Sequence, residues 1–350
     1  MMNKRVLLGM SGGIDSSVSA LLLQDQGYEV VGVTFLFSGS DVKNHHFLSE
    51  AKQLAEHLKI KHLTVDLRDE FKTVVIKYFI DEYLKGHTPF PCAYCNPILK
   101  FKYLYKFAEI EKCEFIATGH YVKTGFLNGK KYLFQGVDPN KDQSFFLWGL
   151  ERNIIDKLLF PLGEFEKTEI RKLAENRGFV SLSKKKDSLG ICFIEGNNYR
   201  EFLEGAGIFS KPGNFVDENG AILGQHSGIT NYTIGQRRGL GLNYNFPLFV
   251  AEIRLDANEI VLAKYEDLYR WKIVISDYYF VDNEIDICRR TLIVKVRYRL
   301  QETPCRLNIL NETRAEVELL KPEAMIAPGQ TAVFYDGTRL VGGGFIESAT

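Results

Sequence analysis

The sequence has no long apolar run. The longest, residues 30–37, falls far short of the roughly 20 residues that an α-helix needs to cross a bilayer. The opening Met1-Met2-Asn3-Lys4-Arg5 leads straight into a strand-like segment, with no apolar leader stretch behind it. Neither a membrane span nor a signal peptide is expected, and a cytoplasmic location is. Net charge is also missing, since 44 Lys+Arg balance 44 Asp+Glu. No global field draws in a polyanion, so any nucleic-acid site must be a local patch. Cysteine is sparse: Cys92, Cys95, Cys113, Cys192, Cys288 and Cys305 are too few for a disulfide scaffold and suit a reducing compartment. No internal repeat or low-complexity tract stands out, and a hydrophobic content of 45% excludes disordered and collagenous classes. What remains is a folded chain of 350 residues, or about two to three domains at roughly 150 residues each.

The first third alternates strand-like and helix-like patterns. Residues 5–10 read as a short buried strand, Ser11-Gly12-Gly13 as a turn, and residues 15–26 as a helix with Val18, Leu21 and Leu22 on one face and Gly27 past its end. Strands follow at 29–34, 62–66 and 115–118, with a helix over 48–58 and a helical apolar stripe of Phe71, Val74, Val75, Tyr78 and Phe79 ending at Gly86. This order predicts a doubly wound α/β domain on a mainly parallel sheet. From about residue 211 the pattern turns to short alternating segments, including 273–275, 315–320 and 332–335. In residues 292–300, Leu292, Val294, Val296, Tyr298 and Leu300 share one face while Lys295, Arg297 and Arg299 share the other, a half-buried strand with a basic outer stripe. The expected architecture is an α/β catalytic domain over 1–205, a small β-rich central domain over 206–269 and a C-terminal β-barrel over 270–350.

Ser11-Gly12-Gly13-Ile14-Asp15-Ser16-Ser17 lies between the first strand and the first helix, where backbone N–H groups and the helix dipole favour an anion. Glycines allow close approach to phosphate, Ser11, Ser16 and Ser17 bring hydroxyls, and Asp15 suits a magnesium ion. No Gly-Lys-Ser/Thr follows, so this is not a Walker loop. An ordinary turn with an N-cap is the bland alternative.

Pro91-Cys92-Ala93-Tyr94-Cys95-Asn96-Pro97 precedes a helix-like stretch. With Asn96 as N-cap and Pro97 as the first helical residue, Cys95 would sit at a helix N-terminus, where the dipole lowers a thiol pKa and makes a nucleophile. A zinc knuckle is the structural rival but lacks a second ligand pair. Gly190-Ile191-Cys192-Phe193-Ile194 follows the polar and basic Ser183-Lys184-Lys185-Lys186-Asp187-Ser188. Cys192 alone reads as a core residue more readily than as a catalyst. Cys113, Cys288 and Cys305 read as packing residues.

The Ser-Gly-Gly-x-Asp-Ser loop resembles that of the ATP pyrophosphatases. Together with Thr88-Pro89-Phe90-Pro91-Cys92-Ala93-Tyr94-Cys95-Asn96, Ala117-Thr118-Gly119-His120-Tyr121, Lys141-Asp142-Gln143-Ser144, the Cys192 segment and Tyr232-Thr233-Ile234-Gly235-Gln236-Arg237-Arg238-Gly239-Leu240-Gly241, it resembles the tRNA-specific 2-thiouridylases. The resemblance implies ATP-dependent 2-thiolation of uridine 34 of tRNA by adenylation of uridine O2. ATP with Mg2+ would sit on Gly9, Met10, Ser11, Gly12, Gly13, Ile14, Asp15 and Ser16, with Phe35 and Gly119 on the adenine side. Cys192 would carry a persulfide and Cys95 would be its partner nucleophile, with Asp15 also in the catalytic set. Phe90, Pro91, Cys92, Lys141, Asp142, Gln143, Arg297 and Tyr298 would contact tRNA. The implied partners are glutamate, glutamine and lysine tRNAs and a cysteine desulfurase or sulfur-relay protein, and no membrane.

Two departures bear on mechanism. Family members often carry Asn-Pro-Asp where this chain has Phe90-Pro91-Cys92, which removes the acid proposed for proton transfer. Cys92, Cys95 and Cys192 then offer three thiolates, and a [4Fe-4S] cluster holding sulfur is the alternative route. Residues 35–39 also lack the family's usual Met-Lys-Asn-Trp. Two other functions compete. An amide-forming ATP pyrophosphatase would share the loop but would not need Cys95 with Cys192, and an inert RNA-binding protein would not turn over ATP.

Overall fold

The computed structural model describes residues 4–37, 41–184, 190–194, 196, 198–299 and 302–350, with backbone only at 41–46. The chain divides into two compact units. One comprises Met1–Val75, Cys92–Phe193 and Thr338–Leu340, the other Ile76–Pro91, Ile194–Gly337 and Val341–Thr350.

The first unit is built on a parallel sheet. Its strands are β1 (Arg5–Gly9), β2 (Glu29–Leu36), β3 (Lys61–Asp66) and β4 (Phe115–Ala117), and a hairpin of β5 (Val122–Leu127) and β6 (Lys130–Gln135) precedes the last short strand, β7 (Leu158–Leu159). The sheet order is β3-β2-β1-β4-β7. Val6, Leu7 and Leu8 of β1 are wholly buried, as expected of a central parallel strand covered on both faces. Helices Ile14–Asp25 and Asp41–His57 follow β1 and β2. Ala20, Leu23, Ala51, Leu54 and Ala55 from these helices meet Val6, Leu8 and Val30 in one core. Because β1 pairs with both β2 and β4, the winding reverses beside it, and the carboxyl ends of β1 and β4 form the crevice where such sheets bind ligands.

The helix starting near Cys95 is organised differently from the sequence expectation. Helix Pro91–Cys95, a π-turn at Asn96–Lys100 and helix Phe101–Ile110 follow one another without a break. Cys95 has helical dihedrals, φ −64° and ψ −41°. Pro91, not Pro97, opens the run, since a ring with no N–H fits a first helical turn. Pro97 is accommodated inside the π-turn, and the Asn96 side chain donates to the Phe146 carbonyl at 3.0 Å instead of capping. Cys95 therefore receives no N-terminal dipole.

The second unit contains two β-modules. β8 (Gly213–Val216), β9 (Ile222–His226), β10 (Phe249–Arg254) and β11 (Glu259–Ala263) form a four-stranded sheet in the order β10-β11-β8-β9, with Phe215, Tyr232, Val250, Ile260 and Leu262 as its core. β12 (Tyr269–Phe280), β13 (Leu292–Lys295), β14 (Thr303–Ile309), β15 (Arg314–Ala324), β16 (Thr331–Asp336) and β17 (Arg339–Ala349) run in the order β12-β15-β14-β13-β16-β17. Pairing of β12 with β17 closes them into a six-stranded barrel. In β15, Ala315, Val317 and Leu319 face the barrel core while Glu316 and Glu318 point away from it, the period-2 signature of a sheet with one wet face.

The basic stripe expected over 292–300 ends early. β13 stops at Lys295, whose ammonium lies 3.1 Å from Glu302 and 5.2 Å from the Tyr335 ring centre. Beyond it Arg297 turns inward and its guanidinium donates to the Met325 carbonyl. Lys295, Arg297 and Arg299 therefore do not line one wet strand face. Leu300 lies outside the described residues.

Candidate active site

The turn after β1 has the shape of an anion cradle. Gly12 has φ +69°, and a Cβ there would lie 2.7 Å from the Phe47 carbonyl oxygen, so this position requires glycine. Ser16 Oγ donates to the Gly13 carbonyl at 3.0 Å and accepts from Ser11 N–H at 3.2 Å. Ser17 is buried and donates to the same carbonyl at 2.8 Å. The serines expected to bind phosphate thus divide into two jobs: Ser17 and Ser16 tie the loop to its own helix, and Ser11 keeps its side chain exposed. Gly119, after β4, completes the crevice. A Cβ there would meet the Asp15 carbonyl carbon at 2.8 Å and Ser16 N at 2.9 Å, so only glycine lets the two loops close on each other. Phe35, at the carboxyl end of β2, packs 5.8 Å from Phe37 and 6.2 Å from Phe107.

Asp15 has a partner that the sequence did not announce. Lys167 Nζ lies 2.7 and 2.8 Å from its two carboxylate oxygens, and the Tyr121 hydroxyl donates to Oδ1 at 2.7 Å. The Lys167 side chain is only 8% exposed, and its backbone N–H is fixed to Asp138 at 3.1 Å. The carboxylate expected to hold magnesium is thus paired with an ammonium here. Both oxygens already face an ammonium, and a divalent cation would have to displace it.

The cysteines converge. Cys92, Cys95 and Cys192 are free thiols close enough for their charges to interact, and Lys100 acts on all three. Burial pushes the Cys95 thiol up to about 12, opposed by the Lys100 ammonium and its backbone N–H, and the two neighbouring thiols add to the rise. Burial likewise pushes Cys192 up to about 11, with Cys92 adding and Lys100 opposing. Cys92 is raised by burial against the same lysine. The lowered thiol expected at Cys95 is therefore corrected. Its sulfur is buried within a helical run, so all three sulfurs are held as thiols at neutral pH and need a cation to ionise. Cys192 differs as a residue in keeping an exposed surface, although its thiol is raised by burial like the others. Next to it, the buried Phe193 packs edge-on against Phe71, which meets Phe37 and so continues to Phe35. One aromatic path joins the Cys192 segment to the end of β2. The lysines at 185 and 186 lie outside the described residues.

Among the described residues no three Cys, His, Asp or Glu side chains form a metal-binding set. The three thiols as arranged do not fit a [4Fe-4S] cluster, and no step is derived through one.

His120 is a structural group. Burial, with the Lys100 charge, lowers it to about 3, and its Nδ1 lies 2.7 Å from the Thr118 hydroxyl. Cys113 and Cys305 are buried packing residues, and Cys288 packs on the barrel core.

The residues expected to touch tRNA separate into inward and outward groups. Asp142 is buried, and its carboxylate accepts from Gly136 N–H, Ser144 N–H and the Ser144 hydroxyl at 3.0, 3.1 and 2.9 Å. It brackets its own loop, the one that carries Lys141 and Gln143. Gln143 Oε1 accepts from Tyr121 N–H at 3.0 Å, so it steadies the strand end beyond Gly119. Arg297 is engaged by the Met325 carbonyl. Lys141, Tyr298 and Phe90 are half-buried, Pro91 is buried and Cys92 is half-buried. Lys100, Lys167 and Tyr121 are the functional residues the sequence reading missed; only the Tyr after Gly119-His120 carried a local signal.

Family profiles match in chain order: a tRNA methyl transferase HUP domain over residues 4–196, a tRNA methyl transferase PRC-barrel domain over 200–264 and an aminomethyltransferase β-barrel domain over 270–346. The chain is 44% identical over 349 residues to the tRNA-specific 2-thiouridylase MnmA 2 of Phocaeicola vulgatus, covering 98% of each chain. It is 45% identical to MnmA 1 of Bacteroides fragilis, covering 98% of this chain and 97% of that one. It is 40% identical to MnmA of Carboxydothermus hydrogenoformans, covering 98% of both.

Proposed function

The chain belongs to the tRNA-specific 2-thiouridylase family, and from that premise we propose that it thiolates C2 of the wobble uridine, position 34, in tRNA, with ATP as activator and a cysteine persulfide as sulfur carrier. ATP binds along the turn from Gly9 to Ser16 with its adenine toward Phe35 and Gly119, and magnesium arrives with the nucleotide. Uridine O2 attacks the α-phosphorus, pyrophosphate leaves, and the C2–O bond becomes one that AMP can break. Lys167, held beside the turn by Asp15, supplies fixed positive charge where negative charge develops.

Cys192 carries the incoming sulfur because it alone of the three clustered cysteines is exposed. Its terminal sulfur attacks C2 and AMP departs with the former O2. The Cys95 thiolate then attacks the Cys192 sulfur, giving a Cys95–Cys192 disulfide and free thiouridine, and an external thiol resets the pair. Lys100 stabilises the thiolates that these steps require. The substrates are the glutamate, glutamine and lysine tRNAs, the sulfur donor is a desulfurase or relay protein, and Lys141 and Tyr298 contact the RNA. The domain boundaries proposed for this assembly are 1–205, 206–269 and 270–350.

The observation that carries this reading is the convergence of Cys95 and Cys192 around Lys100, in the same unit as the pyrophosphate-type turn. An amide-forming enzyme would have no use for it. The test is thiolation of unmodified tRNA with ATP, magnesium and a desulfurase–cysteine source, read by nucleoside mass spectrometry. Cys192→Ser and Cys95→Ser are each expected to abolish 2-thiouridine while leaving tRNA affinity nearly intact. Full thiolation by either variant would refute the two-cysteine route.

A further inference from the structure

The segment between the 3-10 turn Ile229–Asn231 and β10 contains no regular secondary structure, and connections of that length in a compact domain are commonly functional. Its base is fixed. Tyr232 packs edge-on against Phe215 at 5.2 Å, and Gly235 N–H donates to the Val250 carbonyl at 2.8 Å. Gly235 has φ +84°, and a Cβ there would lie 2.8 Å from Met325. Met325 is itself left-handed, at φ +57°, with its carbonyl held by Arg297. Arg297 thus anchors the residue on which this loop sits.

The tip of the loop is built to meet something. Residues 237–248 hold Arg237, Arg238, Tyr244, Phe246, Asn243 and Asn245 and no acid. Arg237 and residues 239–248 line a recess of about 380 Å³. Tyr244 and Phe246 are 42% and 44% exposed, with rings 5.9 Å apart. The Lys264 ammonium lies 5.2 Å from the Phe246 ring centre. Tyr265 and Tyr269, 5.6 Å apart, are also exposed. Neither Arg237 nor Arg238 has a carboxylate partner among the described residues. Glu266 and Asp267, just after Lys264 in sequence, sit in the 3-10 turn Tyr265–Leu268.

Exposed rings interleaved with unpaired cations are the composition of a surface that stacks unpaired bases and neutralises their phosphates. A protein partner would be met by an apolar centre depleted of charge. We propose that Arg237, Arg238, Tyr244, Phe246, Lys264 and Tyr265 bind unpaired nucleotides of the tRNA other than the reacting uridine. The proposal rests on tRNA being the substrate, and it gives the loop a task separate from the chemistry.

The experiment measures binding of the full chain to unmodified tRNA and to a fluorescein-labelled single-stranded RNA dodecamer across a salt series, with thiolation assayed in parallel. Tyr244→Ala/Phe246→Ala is expected to weaken both ligands by about five- to 150-fold per stacked base, with an unchanged salt slope. Arg237→Gln/Arg238→Gln is expected to lower the log–log salt slope by about 1.4. Tyr244→Phe keeps the ring and should keep the affinity. Wild-type affinity in both double variants, or loss of affinity in Tyr244→Phe, would overturn the stacking surface. If the variants weaken dodecamer binding while the unaltered chain makes no thiouridine, the surface stands and the functional reading falls instead.

Discussion

The thiol cluster makes a quantitative claim about which cysteine reacts first. Cys95 is raised to about 12 and Cys192 to about 11. At pH 8 the thiolate fractions are then about one in ten thousand for Cys95 and about one in a thousand for Cys192. A thiol of higher pKa is also the better nucleophile, with a Brønsted slope of roughly 0.4–0.5, which returns about a threefold factor to Cys95. Ionisation and intrinsic nucleophilicity thus largely offset each other, and the advantage of Cys192 rests on its exposed surface. The assay is timed alkylation with iodoacetamide from pH 7 to 10, quenched and read site by site by peptide mass spectrometry. Cys192 should label ahead of Cys95, both rates should climb about tenfold per pH unit without a plateau below pH 10, and Lys100→Met should slow both. Cys95 labelling first, or a plateau near pH 7 at either site, would refute the view that burial keeps these sulfurs protonated until a cation acts.

Two further outcomes follow from the same geometry. Lys167→Met leaves the Asp15 carboxylate with the Tyr121 hydroxyl in place of its ammonium partner; AMP formation should fall by about 100-fold or more, stability should drop by about 1–3 kcal/mol in urea titration, and turnover within threefold of the unaltered chain would contradict the role given to Lys167. His120, lowered to about 3 from its ordinary 6.5, is neutral in both folded and unfolded chains above pH 6.5, whereas below it the unfolded chain takes the proton first. Stability should therefore fall between pH 6.5 and 3 at up to about 1.4 kcal/mol per pH unit, and His120→Gln should flatten that dependence in urea midpoints measured at pH 7 and pH 5.

How much of this was legible in the sequence depends on whether the signal was local. Ser11-Gly12-Gly13 declared its turn because glycine at φ +69° and a strand-to-helix change are both properties of neighbours. The parallel sheet and the closed barrel were legible from apolar periodicity. The helix around Cys95 misled, because Asn96-Pro97 has the composition of a cap and first turn, while the π-turn that absorbs Pro97 has no comparable signature. Lys295, Arg297 and Arg299 misled for a related reason. Period-2 spacing says which residues would share a face if the strand continued, not where the ladder ends, and here it ends when Arg297 finds the Met325 carbonyl. Lys167 and Lys100 were invisible, because a lysine acquires a role only when the fold sets it against a carboxylate 152 positions away or against sulfurs from two distant segments.

The central claim is that ATP activates the uridine oxygen itself, on the turn after β1, so that sulfur replaces it. The most direct measurement uses tRNA carrying 18O at O2 of the wobble uridine, with ATP, magnesium and a desulfurase–cysteine source. Mass spectrometry of the AMP produced is predicted to find one 18O in its phosphate for every 2-thiouridine formed. Thiouridine accompanied by unlabelled AMP, with 18O found in water or pyrophosphate, would contradict the account.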